Sequence, residues 1–480
     1  MISSVHTNPH YFAHLKAVLE HQPMVVTAPV IDLDGEALLE QGESLTIADL
    51  NRLESVRLQQ PLVACIDFRS PLTANQLSQS LVDSFVSDPV LYEIFQQLSL
   101  DDLLYDGCKR ACSHPLLSQY LRVMSLRLPK SYERALFCAW FAAILCQRRE
   151  ATREQLLDAF LAGLFHDLGM LLVPELASSD HENLSPEAWR EMILHPELGC
   201  DMLEVFPAIS DVVLRAVREH HEAIDGTGYP AQKVGRQLAP MGQIVKLLDS
   251  THAVYTKYFK PRARTLHDLI PIIQMNQMSR PGMPAADLVV ILRNGTASES
   301  CSVPEELMPD LIHDVKNRHL YIKQFVDLAE VFIDQHQTAI ANARMFSFSA
   351  LLEHIVMAMK QSGLINDAYM RWLDLVQQEQ LAHAYREVED VFLMMQEVMF
   401  HIQRFLLRLE DFVQQKNVPA TQLTAIWSPA RHIKLIPEKE EPADPRESAR
   451  VALENFRRHP VPELSSALSD LWHTRVGERR

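Results

Sequence analysis

The sequence predicts a mainly α-helical chain, with a small α+β module at its N-terminal end and a helical bundle or coiled coil towards its C-terminal end. Three observations predict this. Glycine is scarce, 14 of 480 residues, while leucine, alanine, glutamate and glutamine, all good helix formers, are common. Runs of β-branched residues, broken by the strong turn signal Asp34-Gly35, fall within about residues 22 to 70. From Leu381 to Phe412 the apolar positions advance by alternating steps of three and four, the period of one helix face.

In chain order, residues 5 to 21 read as a short amphipathic helix. Residues 24 to 46 read as strands around the Asp34-Gly35 hairpin. IADLNRLESVRL reads as a helix capped by Thr46, and PLVACIDF as a further strand. A long helical region follows. Ala135 to Cys146 is an unbroken apolar run, about half what a bilayer span needs, and reads as a buried core helix. Gln155 to Phe165 is a second apolar helix that leads directly into His166-Asp167. Ser185-Pro186-Glu187 is a helix start, and that helix runs to His195-Pro196. Another begins near Ala208 and ends at His220-His221. Gln243 to Tyr258 is helical and contains Asp249 and His252. NGTASES, 294 to 300, marks a boundary, and PEKEEPADPRES, 437 to 448, reads as a charged linker. In the seam after Leu381, Phe392, Met399, Leu406 and Val413 broaden the apolar stripe, which favours a bundle at least as much as a two-stranded coil. The expected domains are 1–75, 76–295, 296–436 and 437–480.

Composition excludes some functions. A formal net charge of -17 argues against a general grip on DNA, which needs basic surface. A small anionic substrate remains compatible if metal ions supply local positive charge. The seven cysteines are scattered and odd in number; Cys108 and Cys112 are the one close pair, so reduced thiols are expected. The N-terminus lacks a basic region followed by an apolar run, and no membrane span is expected. The expected location is the cytoplasm.

Chemistry concentrates in HHEAIDGTGYP, residues 220 to 230. Neutral imidazoles are first-choice transition-metal ligands, and two stand here beside a glycine-containing turn. His166, Asp167, His195, His220, His221 and Asp249 all lie at the ends or faces of successive helices, and helical domains build dinuclear sites from such inward-facing ligands. His181, His252 and His267 are read as surface or packing residues.

HDLG, HPELG, HHEAIDGTGYP and IVKLLDSTHAVY follow in the order and approximate spacing of the HD-GYP domain, which the chain resembles over roughly residues 115 to 295. The resemblance implies an all-helical domain holding two or three metals, often iron or manganese, that hydrolyses the bacterial messenger cyclic di-GMP to pGpG or GMP. It implies two divalent ions here. His166 and Asp167 would be the HD ligands, with Asp167 bridging and catalytic. His195, His220 and His221 would hold the second metal, and Asp249 the first. Gly226, Gly228, Tyr229 and Pro230 would form the loop beside substrate or a protein partner. A hydroxide bridging the two cations would attack phosphorus in line. The C-terminal helices would serve signalling output or a homodimer.

The chain departs from the family pattern at four places, one being an acidic residue used for a third metal, which has no clear match near Arg127. Met170 stands where the family has a phosphate-contacting lysine, and methionine offers neither charge nor a hydrogen-bond donor. An early histidine ligand to the first metal has no counterpart in SYERALFCAWF, where Ser131 or Arg134 aligns. His252 stands where a second aspartate is common. Three readings follow: a weak first site completed by water, a first site reached by Glu133, or a first site left empty with Arg134 supplying the charge. Weakened hydrolysis and a degenerate signalling protein both follow from these departures.

Overall fold

The structure is a computed structural model that describes residues 8–98, 100–174, 185–223, 228–233, 237–262, 264–277, 284–293, 301, 303–336, 343–362, 366–414 and 445–469. It is mainly helical, and the strands among the described residues lie in the N-terminal module. The chain divides into two compact units, one formed by residues 1–261 with 290–296, the other by 262–289 with 297–479.

The first unit opens with α1 (Pro9–Leu19), started by the Asn8 side chain and buried along Tyr11, Phe12, Leu15 and Val18. Two antiparallel ribbons follow. β1 (Met24–Val26) pairs with β4 (Ile66–Phe68), and β2 (Val30–Ile31) pairs with β3 (Ala37–Leu39). Gly35 turns the second ribbon at φ +89, a left-handed conformation that glycine adopts without strain. α2 (Ile47–Leu53) starts at a Thr46 capping box, as its sequence predicts, but stops at Leu53 rather than running on to Leu58. PLVACIDF is strand only at its end. Leu62–Cys65 forms the short helix α3, whose Leu62, Val63 and Cys65 turn into the core. Gln119 Nε2 donates to the carbonyls of Ile66 and Val63 at 2.6 and 3.3 Å, and Asn8 Nδ2 donates to Leu172 O at 3.0 Å. These bonds tie the ribbon module to the helices of its own unit.

Those helices are α4 (Ala74–Val86), α5 (Pro89–Leu98), α6 (Asp101–Ala111), α7 (Pro115–Arg127), α8 (Pro129–Gln147), α9 (Arg153–Phe165), α10 (Pro186–Met192), α11 (His195–Leu203), α12 (Asp211–Glu219) and α13 (Pro240–Val254). α8 contains the unbroken apolar run and is buried continuously from Ala135 to Cys146. A helix that is apolar all round has to be enclosed on all sides. α9 lies against it, and the two approach so closely at Gly163 that a Cβ there would overlap the backbone of Cys138. Arg153–Leu172 is long and apolar enough to cross a membrane by length and composition, but most of it is buried inside the protein. Two boundaries differ from expectation. The helix from Ser185 ends at Met192, so His195 starts a new helix instead of closing the old one. α13 begins at Pro240 and passes into a single wider turn, Tyr255–Phe259.

The second unit contains α14 (Ile270–Gln277), α15 (Met308–His336), α16 (Ala343–Ser362), α17 (Asp367–Glu379), α18 (Tyr385–Gln414) and α19 (Pro445–Arg457). Most of the seam is buried, with two of its four broadening residues, Phe392 and Met399; Leu406 and Val413 are half-buried. Val388, Val391, Phe392, Met395, Val398, Met399, Ile402, Phe405, Leu409 and Phe412 of α18 are all buried. Phe405 meets Phe456 of α19 at 5.5 Å between ring centroids, and Phe325 of α15 meets Phe456 at 5.0 Å. A buried ion pair, Arg264 Nη1 to Glu389 Oε1 at 2.8 Å, sits beside this core. The charged stretch read as a linker reaches helix at Pro445; its residues 437–444, and the NGTASES boundary, lie outside the described residues. All seven cysteines are free.

Candidate metal centre

The centre is built where helices of the first unit begin and end. Thr152 and Gln155 form a capping box that starts α9, and the helix delivers His166 at its last turn. The chain then turns at Asp167 into a tight 3-10 turn, Leu168–Leu172. Gly169 in that turn is pressed against α11. A Cβ there would overlap the carbonyl oxygen of His195 and lie 2.6 Å from the amide nitrogen of Gly199. This approach, open only to glycine, brings His195 to Asp167. Ser210 caps α12, whose end carries His220 and His221, and α13 contributes Asp249.

Two donor sets result. Asp167, His195, His220 and His221 each direct a ligand atom into one space, all within 4.8 Å of one another; His166, Asp167 and Asp249 form a second such group. Asp167 belongs to both. Its Oδ1 lies 3.4 Å from His195 Nε2 and 3.7 Å from His220 Nε2, and its Oδ2 lies 3.4 Å from His166 Nε2. His166, Asp167, His195, His220 and Asp249 are buried.

The ring tautomers follow from hydrogen bonding. Nδ1 of His166, His195 and His220 lies 2.8, 2.8 and 2.7 Å from the carbonyl oxygens of Gly163, Met192 and Val217, each three residues earlier. A carbonyl only accepts, so each Nδ1 donates its proton, and in the neutral ring Nε2 carries the lone pair. The Nε2 atoms of His195 and His220 nevertheless face each other at 3.2 Å. Two lone pairs at that distance require a proton or a cation to reconcile them. His166 Nε2 is buried and finds no hydrogen-bond partner among the described residues. The first set, one carboxylate and three imidazoles, therefore fits a divalent cation in donor chemistry, burial and orientation.

The electrostatics agree. Burial opposes the charge of Asp167 most strongly, but His166, His195 and His220 outweigh it and hold the carboxyl well below the usual range. Burial, then the neighbouring histidines, pushes His221 well down; burial also lowers His220, against the pull of Asp167. These two rings are thus neutral and ready to donate lone pairs.

The second set is different, because Arg134 of α8 enters it. Its Nη1 lies 2.9 Å from Asp249 Oδ1 and 3.8 Å from Asp167 Oδ2. Burial opposes this charge, but Asp249 and Asp167 hold the guanidinium protonated, above the ordinary arginine range. Glu133 does not reach in. It is half-exposed and pairs with Lys260 Nζ at 3.5 Å. Ser131 and Met170 are buried, and Met170 lies in the turn after Asp167.

On the loop, Tyr229 stacks on His221 at 4.6 Å with the rings 23° apart, and its amide donates to His221 O at 3.3 Å. Gly228 is held against Ala223 and His221; a Cβ there would overlap both backbones and lie 2.5 Å from Glu222 Cα. Pro230 follows a cis peptide bond. Gly226 lies outside the described residues, as does His181. His252 is buried against Phe137 at 4.9 Å, a packing residue, and His267 belongs to the other unit.

Two acids escaped the sequence reading. Glu219 and Glu222 bracket the histidine pair and turn away from the metal sets to hold the loop. Glu222 accepts from the amides of Ala231 and Lys233 at 2.6 and 2.9 Å. Glu219, fully buried, accepts from Arg215 Nε and Lys233 Nζ, each at 2.8 Å, and from the Ala239 amide at 2.5 Å. The motif Glu-His-His-Glu was the available signal.

Comparison with known proteins adds three findings. Residues 118–281 match the family described as HD domain. A cyclic di-GMP phosphodiesterase of Pseudomonas aeruginosa is 28% identical over 179 residues, covering 36% of this chain and 42% of that protein. A cyclic di-GMP phosphodiesterase of Vibrio cholerae is 30% identical over 106 residues, covering 20% of this chain and 21% of that protein. The matches thus span less than half the length of these curated relatives.

Proposed function

From the premise that this chain carries an HD domain over residues 118–281, we propose that it is a metal-dependent phosphodiesterase acting on cyclic di-GMP and releasing pGpG or GMP. The reading rests above all on one observation: the His195 and His220 Nε2 atoms, both committed to carrying lone pairs, converge at 3.2 Å beside Asp167 Oδ1. The names of the two relatives supply the substrate. The HD-GYP resemblance of HHEAIDGTGYP supplies the subtype, and iron or manganese as the metal. A cyclic nucleotide messenger would be met in the cytoplasm.

In this reading Asp167, His195, His220 and His221 hold the ion, and Asp249 and His166 complete the polar floor. A bound divalent cation lowers the pKa of water and neutralises phosphate oxygens. The protein's own contribution is fixed charge and exclusion of water. Asp167 stays ionised, Arg134 presents a permanent positive charge, and α8 and α9 close the base with apolar side chains. Preorganised charge of this kind needs no reorientation when the phosphoryl group reacts. Gly228, Tyr229 and Pro230, with Gly226, shape the substrate side.

The test is turnover of cyclic di-GMP by protein purified and reconstituted with Fe(II) or Mn(II) without oxygen. Linear pGpG or GMP is expected, and His221→Ala should lower metal content and turnover together. Metal retained without turnover at high enzyme concentration would exclude the hydrolase. It would leave a second reading, which Met170 and Arg134 favour: a degenerate HD-GYP signalling protein that binds the nucleotide or a protein partner and signals through its C-terminal helices. That reading expects cyclic di-GMP to bind intact.

A further inference from the structure

We propose that Arg134 takes the place of a second cation, so that each chain binds a single metal ion, in the set Asp167, His195, His220 and His221. The inference rests on the reading of that set as a metal site and concerns the neighbouring set, His166, Asp167 and Asp249.

That neighbouring set is already engaged. Arg134 Nη1 is 2.9 Å from Asp249 Oδ1, the oxygen that itself lies 3.9 Å from His166 Nε2. The same nitrogen is 3.8 Å from Asp167 Oδ2, which lies 3.4 Å from His166 Nε2. The carboxylate oxygens that would draw in a second ion therefore already face a full positive charge. An arginine does not lose its proton in a protein, so the guanidinium cannot become a ligand and cannot be neutralised to admit one. A divalent ion among these donors would meet that charge at close range in a buried setting, where repulsion is weakly screened.

The remaining donors reinforce the assignment. The set offers three protein ligands: among the described residues no further histidine, cysteine or carboxylate ligand atom lies within 4.8 Å of all three, Ser131 carries only a hydroxyl, and Glu133 turns outward to Lys260. Among the described residues, neither Arg134 Nε nor His166 Nε2, both buried, has a hydrogen-bond partner. Charge points the same way: with the guanidinium and one divalent ion, the carboxylates of Asp167 and Asp249 already leave a net charge of about +1, and a second divalent ion would raise it to about +3 in a buried setting. Removing either member of a buried ion pair leaves its partner uncompensated, so Arg134 is held in place by the same carboxylates it occupies.

The experiment is a metal count on the full chain, stripped, reloaded with Mn(II) without oxygen, desalted, and measured by mass spectrometry alongside electron paramagnetic resonance. The unaltered chain should bind one Mn(II) and show the six-line signal of an isolated ion. R134H, which removes the guanidinium and offers an imidazole, should rise to two, with an exchange-coupled spectrum. R134K, which keeps the charge, should stay near one. Two ions in the unaltered chain would overturn the proposal and leave the metal centre standing. No ion in either the unaltered chain or R134H would overturn the metal centre and this proposal with it. R134H that folds and still binds one would show that Arg134 is not what excludes the second. Should R134H not fold, the count on the unaltered chain decides.

Discussion

A histidine's role in this protein is set by what its second nitrogen touches. His166, His195 and His220 each spend Nδ1 on a carbonyl three residues back, and in His195 and His220 this leaves Nε2 facing the candidate metal space. His252 has no such bond and is enclosed beside Phe137. Burial first, and then Arg134, pushes it down to about 3. The sign of its effect follows. The unfolded chain takes up a proton at His252 near pH 6.5, while the folded chain resists until about pH 3, so stability falls as pH drops through that interval. His220 and His221 act in the same direction, whereas His166, raised against the effect of burial by Asp167, acts in the opposite one. Replacing His252 by glutamine should therefore change the melting temperature of the metal-free protein less at pH 7 than at pH 5, removing the part of the fall between them that His252 contributes. Equal slopes for the two proteins would remove His252 from the account. The six ligand candidates were legible because histidine and aspartate in that order have few other uses. The direction of Arg134 was not, because one arginine on a helix reads alike whether it faces solvent or a carboxylate pair.

Elements bring these residues together through close backbone approach, and Gly163, between α8 and α9, and Gly169, against α11, set the distances. Gly169→Ala should push α11 away from the turn after Asp167 and separate His195 from its partners. Metal content should fall several-fold, with helix content nearly unchanged by circular dichroism. Gly42→Ala is the control. Its φ of +92 makes alanine strained, yet nothing lies near the added carbon, so stability should drop by about 1 kcal/mol with metal content intact. Equal metal loss in both would mean that general destabilisation, not displacement of α11, is responsible. Helix starts were legible at Thr46 and Ser185, where a side chain satisfies free amides. Helix ends were read less well. PLVACIDF looked like a strand because Val and Ile favour one, but only Ile66–Phe68 finds a partner, in β1.

At the scale of the whole molecule, each unit has its own core. The apolar seam of α18 is spent inside the second unit, against α15, α16 and α19. A homodimer would have to use another surface. Phe405→Ala should cost about 3 to 5 kcal/mol in denaturant unfolding, because it leaves a cavity among Phe325, Phe348 and Phe456. The native mass by light scattering should not change; a lower mass would mean that the seam also holds chains together.

The sequence by itself determined the helical class, the place of the ribbons and the residues able to bind a metal, because periodicity, capping and ligand chemistry are local properties. It could not say which ligands share a space. Tertiary structure decided that Asp167 faces both donor sets, that Glu219 and Glu222 hold a loop instead of an ion, and that Arg134 reaches two carboxylates. The reason is physical. A donor's identity is fixed by its own atoms, but its partner depends on distances between helices far apart in the chain, and those are set by packing.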